Sequence, residues 1–125
     1  IAAVSDYRVA NRAAQKIKKN GGKGMTLDLV ENPDILAWVA GRKNAPFCVG
    51  FAAESEKLAQ HAQEKRLRKG VPLIAANLAQ EALGADESAI TLYDDRGGHP
   101  LGRAPKLQLA RRLLEHVAGM LPPRT

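Results

Sequence analysis

Residues 47–76 read FCVGFAAESEKLAQHAQEKRLRKGVPLIAA. The apolar runs at residues 47–51 and 72–76 are typical of short strands that are covered on both faces. The residues between them, 54–69, predict a helix that ends at Gly70. Strand, helix and strand at this spacing form a βαβ unit, in which the two strands are parallel. This segment therefore predicts an α/β fold.

The rest of the chain alternates between strand and turn patterns in the same way. Further strands are predicted at residues 1–4, 25–30 (half-buried) and 89–93, turns at 20–24 and 94–98, and a loop at 5–15. Together they predict an α/β fold with a mostly parallel sheet. Ligands of such sheets bind beyond the carboxyl ends of the strands, which points to the loops at residues 5–8, 52–55 and 77–80.

Two further helices have recognisable ends. Asn32 is a typical helix cap and Pro33 a typical first helical residue, and this helix should end near Gly41. The last helix should begin near Pro105 and end at Pro122. Its apolar spacing predicts a buried face made of Leu107, Ala110, Leu114, Val117 and Leu121.

The composition excludes several classes of protein. With 45% hydrophobic residues among 125, the chain is typical of a globular domain and is not a disordered tail. No apolar run approaches the about 18 residues that a membrane span needs, so we expect no membrane. The single cysteine, Cys48, excludes an internal disulfide framework and suits the cytoplasm. We assign residues 1–121 to one domain portion and 122–125 to a tail, and expect an excerpt of a larger domain because Ile1 opens an apolar run.

The net charge of +6 indicates an anionic partner. Basic residues cluster at 16–19, 65–69 and 111–112, but aromatic residues make up only 4% and none lies among those clusters. Proteins that bind nucleic acids stack bases on such aromatic residues. We therefore favour a small anion, such as a nucleotide triphosphate, and expect no nucleic acid.

Two candidate sites lie in the first part of the chain. Asp6 follows a predicted strand, where its carboxylate could hold a ribose, a base or a magnesium ion, or bond its own backbone in a turn. Lys16 and Lys18 share one face of an extended segment. They are either a phosphate clamp or the solvated lysines of an edge strand.

Three further candidates each have a plain structural alternative. The helix start at residues 32–35 offers free N–H groups to an anion, or is only a cap. Phe51 lies in a turn of small residues that a ligand could approach, or packs in the core. Lys65 and Lys69 lie on the same stripe as Leu58 and Ala62 of the predicted helix; they bind an anion, or extend from the end of the helix into solvent.

The remaining candidate groups predict no catalytic centre. Cys48 lies in the middle of a strand and should be a small buried residue. His61, His99 and His116 share no metal-ligand spacing, and we interpret all three as surface or helix residues. No nucleophile–base arrangement is present.

Several motifs in one order resemble a known family. They are AAVSDYR at residues 2–8, KIKK at 16–19, NPDIL at 32–36, VGFAAE at 49–54, and KRLRK at 65–69 followed by Ala76-Asn77. The series is similar, over residues 1–118, to the bacterial phosphopantothenate–cysteine ligase, the synthetase half of the bifunctional coenzyme A biosynthesis flavoprotein. Each motif alone is weak, but their order and spacing are specific.

The resemblance implies a Rossmann-like, three-layer α/β fold, which lacks its N-terminal strands here, and a defined reaction. The family uses CTP and Mg²⁺ to convert the carboxylate of 4′-phosphopantothenate into an acyl cytidylate, with release of pyrophosphate. The amine of cysteine then displaces CMP. The family is dimeric, and FMN belongs only to a decarboxylase domain that can be fused upstream.

The resemblance also implies roles for single residues. Lys16 would bind the triphosphate and assist activation, as the catalytic residue, and Asp6 would bind the nucleotide and is the candidate magnesium ligand. The other implied nucleotide contacts are Ala2 through its backbone, Pro33, Asp34, Ile35 and Leu36 at the helix start, Phe51 by packing, and Lys65 and Lys69 as cations.

The sequence departs from the family in two ways. The loop at residues 78–87 lacks the usual glycine-phenylalanine pair, and an upstream segment that carries a catalytic asparagine in the family is not among these residues. We therefore expect these 125 residues alone to be inactive. The alternative is a nucleotide-binding or dimerisation module without ligase activity of its own.

Overall fold

The computed structural model describes residues 4–82, 84 and 86–123, and it divides the chain into two compact units, Ile1–Ile35 and Leu36–Thr125. The elements are β1 (Tyr7–Val9), β2 (Leu29–Glu31), α1 (Ile35–Ala40), β3 (Val49–Glu54), α2 (Leu58–Lys69), β4 (Leu73–Leu78), α3 (Ala79–Ala82), β5 (Glu87–Asp94), β6 (Gly97–Pro105) and α4 (Lys106–Met120). The strand predicted at residues 1–4 lies outside the described residues, as Ala2 does, except for Val4, which is exposed and irregular.

The first unit contains a two-stranded antiparallel ribbon of β1 and β2, with Tyr7 opposite Glu31 and Val9 opposite Leu29. The prediction of a loop at residues 5–15 was wrong there, and the half-buried strand at 25–30 is a shorter, exposed strand. The alternating pattern correctly indicated a strand, but the ribbon has no second layer in its own unit that could bury one face. The predicted turn is confirmed, because Lys23 N–H donates to the Asn20 carbonyl at 3.2 Å.

The second unit is built on a four-stranded sheet in the order β3-β4-β5-β6. Strands β3 and β4 are parallel, from Val49 opposite Leu73 to Glu54 opposite Leu78, and α2 connects them, which confirms the βαβ unit. Strand β5 pairs antiparallel with β4 and with β6. The α/β class is confirmed, but the sheet is mixed rather than mostly parallel, because β5 runs antiparallel to β4 and a tight turn joins it to the antiparallel β6.

Helices cover both faces of this sheet. On one face, Ile74 and Ala76 of β4 pack with Ala62 of α2 and with residues of α1. On the other face, Leu73 and Ala75 pack with residues of α4. The prediction of three layers is therefore confirmed, and so is the prediction that the strand at residues 72–76, now β4, is covered on both faces. The same prediction was wrong for the middle of β3, where Ala52 is buried but Phe51 is exposed.

The ends of α1 and α2 follow local sequence signals in part. Gly70 adopts a left-handed backbone (φ 68°) and its N–H bonds back to the helix, so it ends α2 as predicted. Helix α1 ends before Gly41, also as predicted. It begins at Ile35, so Pro33 is not its first residue, and the Asn32 amide donates to the Ser5 carbonyl instead of capping the helix.

Strand β6 was not predicted from the sequence. Its segment contains Pro100 and Gly102, which are unfavourable inside a strand. Both are tolerated because β6 is the last strand in the order and the pairing with β5 shifts at this point, with Ile90 opposite Gly102 and Thr91 opposite Pro100. Gly102 also needs its positive φ of 77° there.

Helix α4 buries a different face from the predicted one. The inward residues are Leu109, Leu113, Val117 and Met120, of which Val117 alone was predicted. The predicted residues Leu107, Ala110, Leu114 and Leu121 are exposed. Two stripes of apolar residues have helical spacing here, and because β6 passes into α4 without a linker, the hairpin sets which stripe meets the sheet. No helix among the described residues is long and apolar enough to cross a membrane.

Candidate functional site

A crevice of about 260 Å³ lies over the carboxyl-terminal halves of the parallel strands β3 and β4. Its lining residues are Phe51, Ala52, Ala53, Ala75, Ala76, Asn77 and Ile90. The alanines leave room for a ligand to approach the backbone. Carboxyl ends of parallel strands are the usual ligand position in α/β sheets. The crevice is lined in part by residues 52–53 and 77, which belong to two segments that sequence reasoning had selected. Those segments are not the predicted loops, because β3 extends to Glu54, β4 extends to Leu78 and α3 begins at Ala79.

Phe51 presents an aromatic ring at this crevice. It lies on β3, which among the described strands pairs only with β4, and 71% of its surface is exposed. The alternative that Phe51 packs in the core is therefore wrong. An exposed ring next to small side chains is a flat apolar surface on which a nucleobase can stack.

Lys65 lies beside the carboxyl end of β3. Its Nζ is 2.6 Å from Oε1 of Glu54, the last residue of the strand, and Nδ1 of His61 is 3.6 Å from Oε2 of the same carboxylate. The side chain of Glu54 is only 11% exposed, so the pair is largely removed from water. The helix of a βαβ unit runs back toward the amino ends of the strands, so its last turns usually lie there, but the contact with Glu54 places the Lys65 ammonium at the carboxyl end of β3.

The predicted nucleotide contacts of the second unit are divided between two faces of the sheet. Side chains alternate along β3, so Phe51 faces away from the side on which α2 packs. Leu36 packs on the α2 side, where its Cδ2 lies 3.3 Å from the position that a Cβ on Gly50 would take. Lys69, the last residue of α2, is half-buried. The sheet thus separates Phe51 from Leu36 and Lys65.

In the first unit, a small network of hydrogen bonds brings Asp6 next to the start of α1. Asn32 N–H donates to the Asp6 carbonyl at 2.7 Å, and the Asn32 side chain donates to the Ser5 carbonyl at 2.7 Å. Arg8 donates to the Asn32 side chain at 3.1 Å and to the Glu31 carbonyl at 2.8 Å. Asp6 is therefore fixed beside Pro33, Asp34 and Ile35, the other nucleotide contacts predicted for this unit.

Lys16 lies in the long connection between β1 and β2. It and Lys18 are exposed, and the backbone of residues 16–20 has no regular secondary structure. The edge-strand interpretation of these lysines is therefore wrong, because there is no strand at this position. An exposed ammonium on an irregular segment is free to follow a phosphate chain.

A second cluster joins the end of β5, β6 and α4. Asp94 is 3% exposed, its Oδ1 lies 2.9 Å from Nε2 of His99, and its Oδ2 lies 3.1 Å from Nε2 of His116. The centres of the two imidazole rings are 4.7 Å apart. An open cleft of about 490 Å³ borders the cluster and is also lined by Asp95, Arg96 and Glu115.

The surroundings of Asp94 favour its ionised form. Burial raises the pKa of this carboxyl, but the side chain of His99, the backbone N–H of Arg96 and the side chain of His116 all donate to it and together outweigh burial. The pKa of Asp94 falls as a result from 3.8 to about 2. Asp94 is thus a buried anion held by donors from three elements.

Sequence reasoning missed this cluster. It treated His99 and His116 as unrelated surface or helix residues, because they are far apart in sequence and β6 was not predicted. Two signals were available. His99 and Leu101 alternate as they would in a strand with one face toward α4. The inner face of α4, once it is chosen correctly, also contains His116.

The chain matches a known family and several curated proteins. The family model described as the DNA/pantothenate metabolism flavoprotein C-terminal domain matches residues 1–121. The chain is 41% identical over 122 residues to the coenzyme A biosynthesis bifunctional protein CoaBC of Escherichia coli K12, covering 93% of this chain and 30% of that protein. It is 40% identical over 121 residues to CoaBC of Vibrio cholerae, again covering 30% of that protein. The chain thus spans less than a third of these relatives.

Solved structures have the same fold. The crystal structure of the C-terminal domain of a CoaBC protein superposes with a TM-score of 0.70 at 26% identity, covering 95% of this chain and 51% of that chain. The DNA/pantothenate metabolism flavoprotein of Streptococcus pneumoniae superposes with a TM-score of 0.70 at 20% identity, which supports the fold alone. Because the family model covers nearly its whole length, this chain belongs to the family of DNA/pantothenate metabolism flavoprotein C-terminal domains.

Proposed function

We propose that this chain is the carboxyl-terminal portion of a CTP-dependent phosphopantothenate–cysteine ligase of coenzyme A biosynthesis. Its family and the names of its relatives support coenzyme A biosynthesis. The observation that carries the nucleotide site is the exposed ring of Phe51 at a crevice of small residues, over the carboxyl-terminal halves of two parallel strands. That position and that surface suit a nucleobase.

The proposed reaction has two steps. An oxygen of the 4′-phosphopantothenate carboxylate attacks the α-phosphorus of CTP, and pyrophosphate leaves with the electrons of the broken P–O bond. The amine of cysteine then attacks the acyl carbon, CMP leaves, and the amine loses a proton as the amide forms. A free carboxylate is a poor electrophile, so the first step supplies the leaving group that the second step needs. Cations that stabilise the charge on the triphosphate accelerate the first step.

The basic residues of this chain suit that role to different degrees. Lys16 is exposed and lies on an irregular segment, so its ammonium is available to the triphosphate as the proposed catalytic cation. Lys65 is already paired with Glu54 at 2.6 Å, so a nucleotide would have to share it. Lys69 is the remaining proposed cation of α2.

Magnesium would be brought by the nucleotide rather than by a dedicated protein site. Mg²⁺ is commonly held by one or two carboxylates together with substrate phosphates. Asp6 supplies one such carboxylate, and it belongs to no group of three ligand-bearing side chains among the described residues. Asp6 fits the role of a single additional ligand, and Mg²⁺ would supply charge neutralisation on the triphosphate.

The proposal extends to partners and location. The substrates are CTP, 4′-phosphopantothenate and cysteine, the assembly is a homodimer, and the location is the cytoplasm. Both relatives described above are bifunctional proteins by name, which supports a fused partner domain. FMN would belong to that decarboxylase domain and not to the residues of this chain.

Calorimetric titration of nucleotides with Mg²⁺ into the full chain tests the nucleotide site. We expect CTP to bind more tightly than ATP and Phe51→Ala to weaken CTP binding by about 1–3 kcal/mol, the usual contribution of a base–aromatic stack. Leu67→Ala is the matched control, because Leu67 is an equally exposed apolar residue, 69% against 71% for Phe51, outside the crevice. Lys16→Ala should weaken CTP binding, and Lys23→Ala, an exposed lysine of the same connection, should not.

The outcomes separate the candidate functions. CTP-selective binding that depends on Phe51 and Lys16 supports the ligase. Binding of CTP without any phosphopantothenate-dependent release of pyrophosphate, even when these residues are joined to the upstream segment that carries the family's catalytic asparagine, supports the nucleotide-binding module instead. Equal binding of CTP and ATP that is unchanged in Phe51→Ala contradicts the proposed base site.

A further inference from the structure

We propose that Asp94, His99 and His116 form a binding site for a divalent transition-metal ion of the zinc class. The ligand atoms of these three side chains all lie within 4.8 Å of one another. Two imidazole nitrogens and one carboxylate oxygen are a common donor set for Zn²⁺. The proposed site is independent of the ligase reaction.

The donor atoms are already close to the arrangement that a metal requires. In a tetrahedral site with ligand bonds of 2.0–2.1 Å, donor atoms lie about 3.3 Å apart. The Nε2 atoms of His99 and His116 lie 2.9 and 3.1 Å from the two oxygens of Asp94. All three ligand atoms lie within 4.8 Å of one another, so a closer approach of the side chains to that spacing would place one ion between them.

The charges of the cluster also favour a divalent cation. Asp94 is 3% exposed, and a buried carboxylate needs a positive partner. A metal ion binds the carboxylate and two neutral imidazoles at once, so Asp94 and both histidines would be ligands of the same ion.

The cleft beside the cluster gives an ion access and leaves room for water. His99 and His116 are partly exposed on that side, 36% and 22%, whereas Asp94 forms the floor. Asp95 and Glu115 line the same cleft as Asp94 and Arg96, so its acidic and basic side chains carry two more negative than positive charges. Three protein ligands with an open side are typical of a site at which water completes the coordination.

The site lies away from the nucleotide crevice. Asp94 ends β5, which runs antiparallel to β4, and Tyr93 is opposite Ile74 near the amino end of β4. The crevice is at the carboxyl ends of β3 and β4, on the opposite edge of the same sheet. An ion here would link β5, β6 and α4 and would stabilise the packing of the last helix on the sheet.

Titration of Zn²⁺ into the metal-free, tag-free full chain tests the site, with Co²⁺ absorption as a second readout of the ligand set. We expect one ion per chain and a rise in the unfolding temperature when Zn²⁺ is added. His99→Gln and His116→Gln should each weaken binding by at least about tenfold, since the loss of even an outer-shell partner costs that much. His61→Gln is the matched control, because His61 lies beside Glu54 in another part of the unit.

Two results would overturn the proposal. One is unchanged Zn²⁺ affinity in both His99→Gln and His116→Gln, which would place the ion elsewhere. The other is no Zn²⁺ binding by the wild-type chain and no change in unfolding temperature, in which case the three side chains form only a hydrogen-bonded cluster. The Zn²⁺ affinities of the two histidine variants decide the test, because both imidazoles are partly exposed and their replacement should leave the fold intact. Asp94 is buried, so a variant such as Asp94→Asn that failed to fold would not change the test.

Discussion

Replacing Lys65 by methionine separates its structural role from its proposed ligand role. Methionine keeps most of the apolar stem and removes the ammonium that lies 2.6 Å from Oε1 of Glu54. Exposed ion pairs contribute about 0.2–1 kcal/mol, and removing one partner of a buried pair costs about 3–5 kcal/mol. The side chain of Glu54 is 11% exposed and that of Lys65 is 32% exposed, so the energy of this pair should lie between those of an exposed and a buried pair. We expect Lys65→Met to lower the free energy of unfolding by about 2 kcal/mol, since His61 is then the remaining ion-pair partner of the carboxylate among the described residues.

A double-mutant cycle with Glu54→Gln measures the pair itself. Urea denaturation at neutral pH of both single variants and the double variant should give a coupling energy of about 1–2 kcal/mol. Arg68→Met, an exposed cation of the same helix, is the control and should change stability by less than about 0.5 kcal/mol. Glu54→Gln should also release Lys65 and tighten CTP binding if Lys65 contacts the triphosphate. A coupling energy near zero would refute the reasoning, because it would mean that the pair stabilises nothing.

Three further predictions follow from other parts of the chain. Leu92→Ala, at a fully buried position of β5, should lower the free energy of unfolding in urea by about 2–5 kcal/mol. Leu114→Ala, on the exposed face of α4, should lower it by less than about 0.5 kcal/mol, and equal losses would contradict the assigned face of α4. Gly70→Ala should cost about 1 kcal/mol because of the left-handed backbone at the end of α2, and an unchanged midpoint would mean that the helix ends differently. Asn32→Ala should weaken Mg–CTP binding more than it lowers stability, since Asn32 positions Asp6; unchanged Mg–CTP affinity would remove Asp6 from the site.

The βαβ core could be predicted from the sequence because its signals are local and agree with one another. Apolar runs, the helical residues between them and Gly70 indicate the same unit, and β4 is buried on both faces as expected. Strand β6 could not be predicted this way, because Pro100 and Gly102 argue against a strand unless its position at the edge of the sheet is known.

The site shows a similar division. The crevice near Phe51 follows from a general rule about strand ends, which needs only the order of strands and helices. The contact of Lys65 with Glu54 depends on how α2 lies along the sheet, and helical spacing alone does not give that. The Asp94 cluster combines residues of β5, β6 and α4, so it required both the missed strand and the correct face of the last helix.

The most direct test of the central claim is the release of pyrophosphate from nucleotides by a protein in which these residues are joined to the upstream segment that carries the family's catalytic asparagine. The ligase proposal predicts that CTP releases pyrophosphate only when 4′-phosphopantothenate is present, that cysteine converts the intermediate to an amide with release of CMP, and that Lys16→Ala abolishes the first step without unfolding the protein. Release of pyrophosphate that is independent of 4′-phosphopantothenate, or no release at all from a chain that binds CTP, would contradict it.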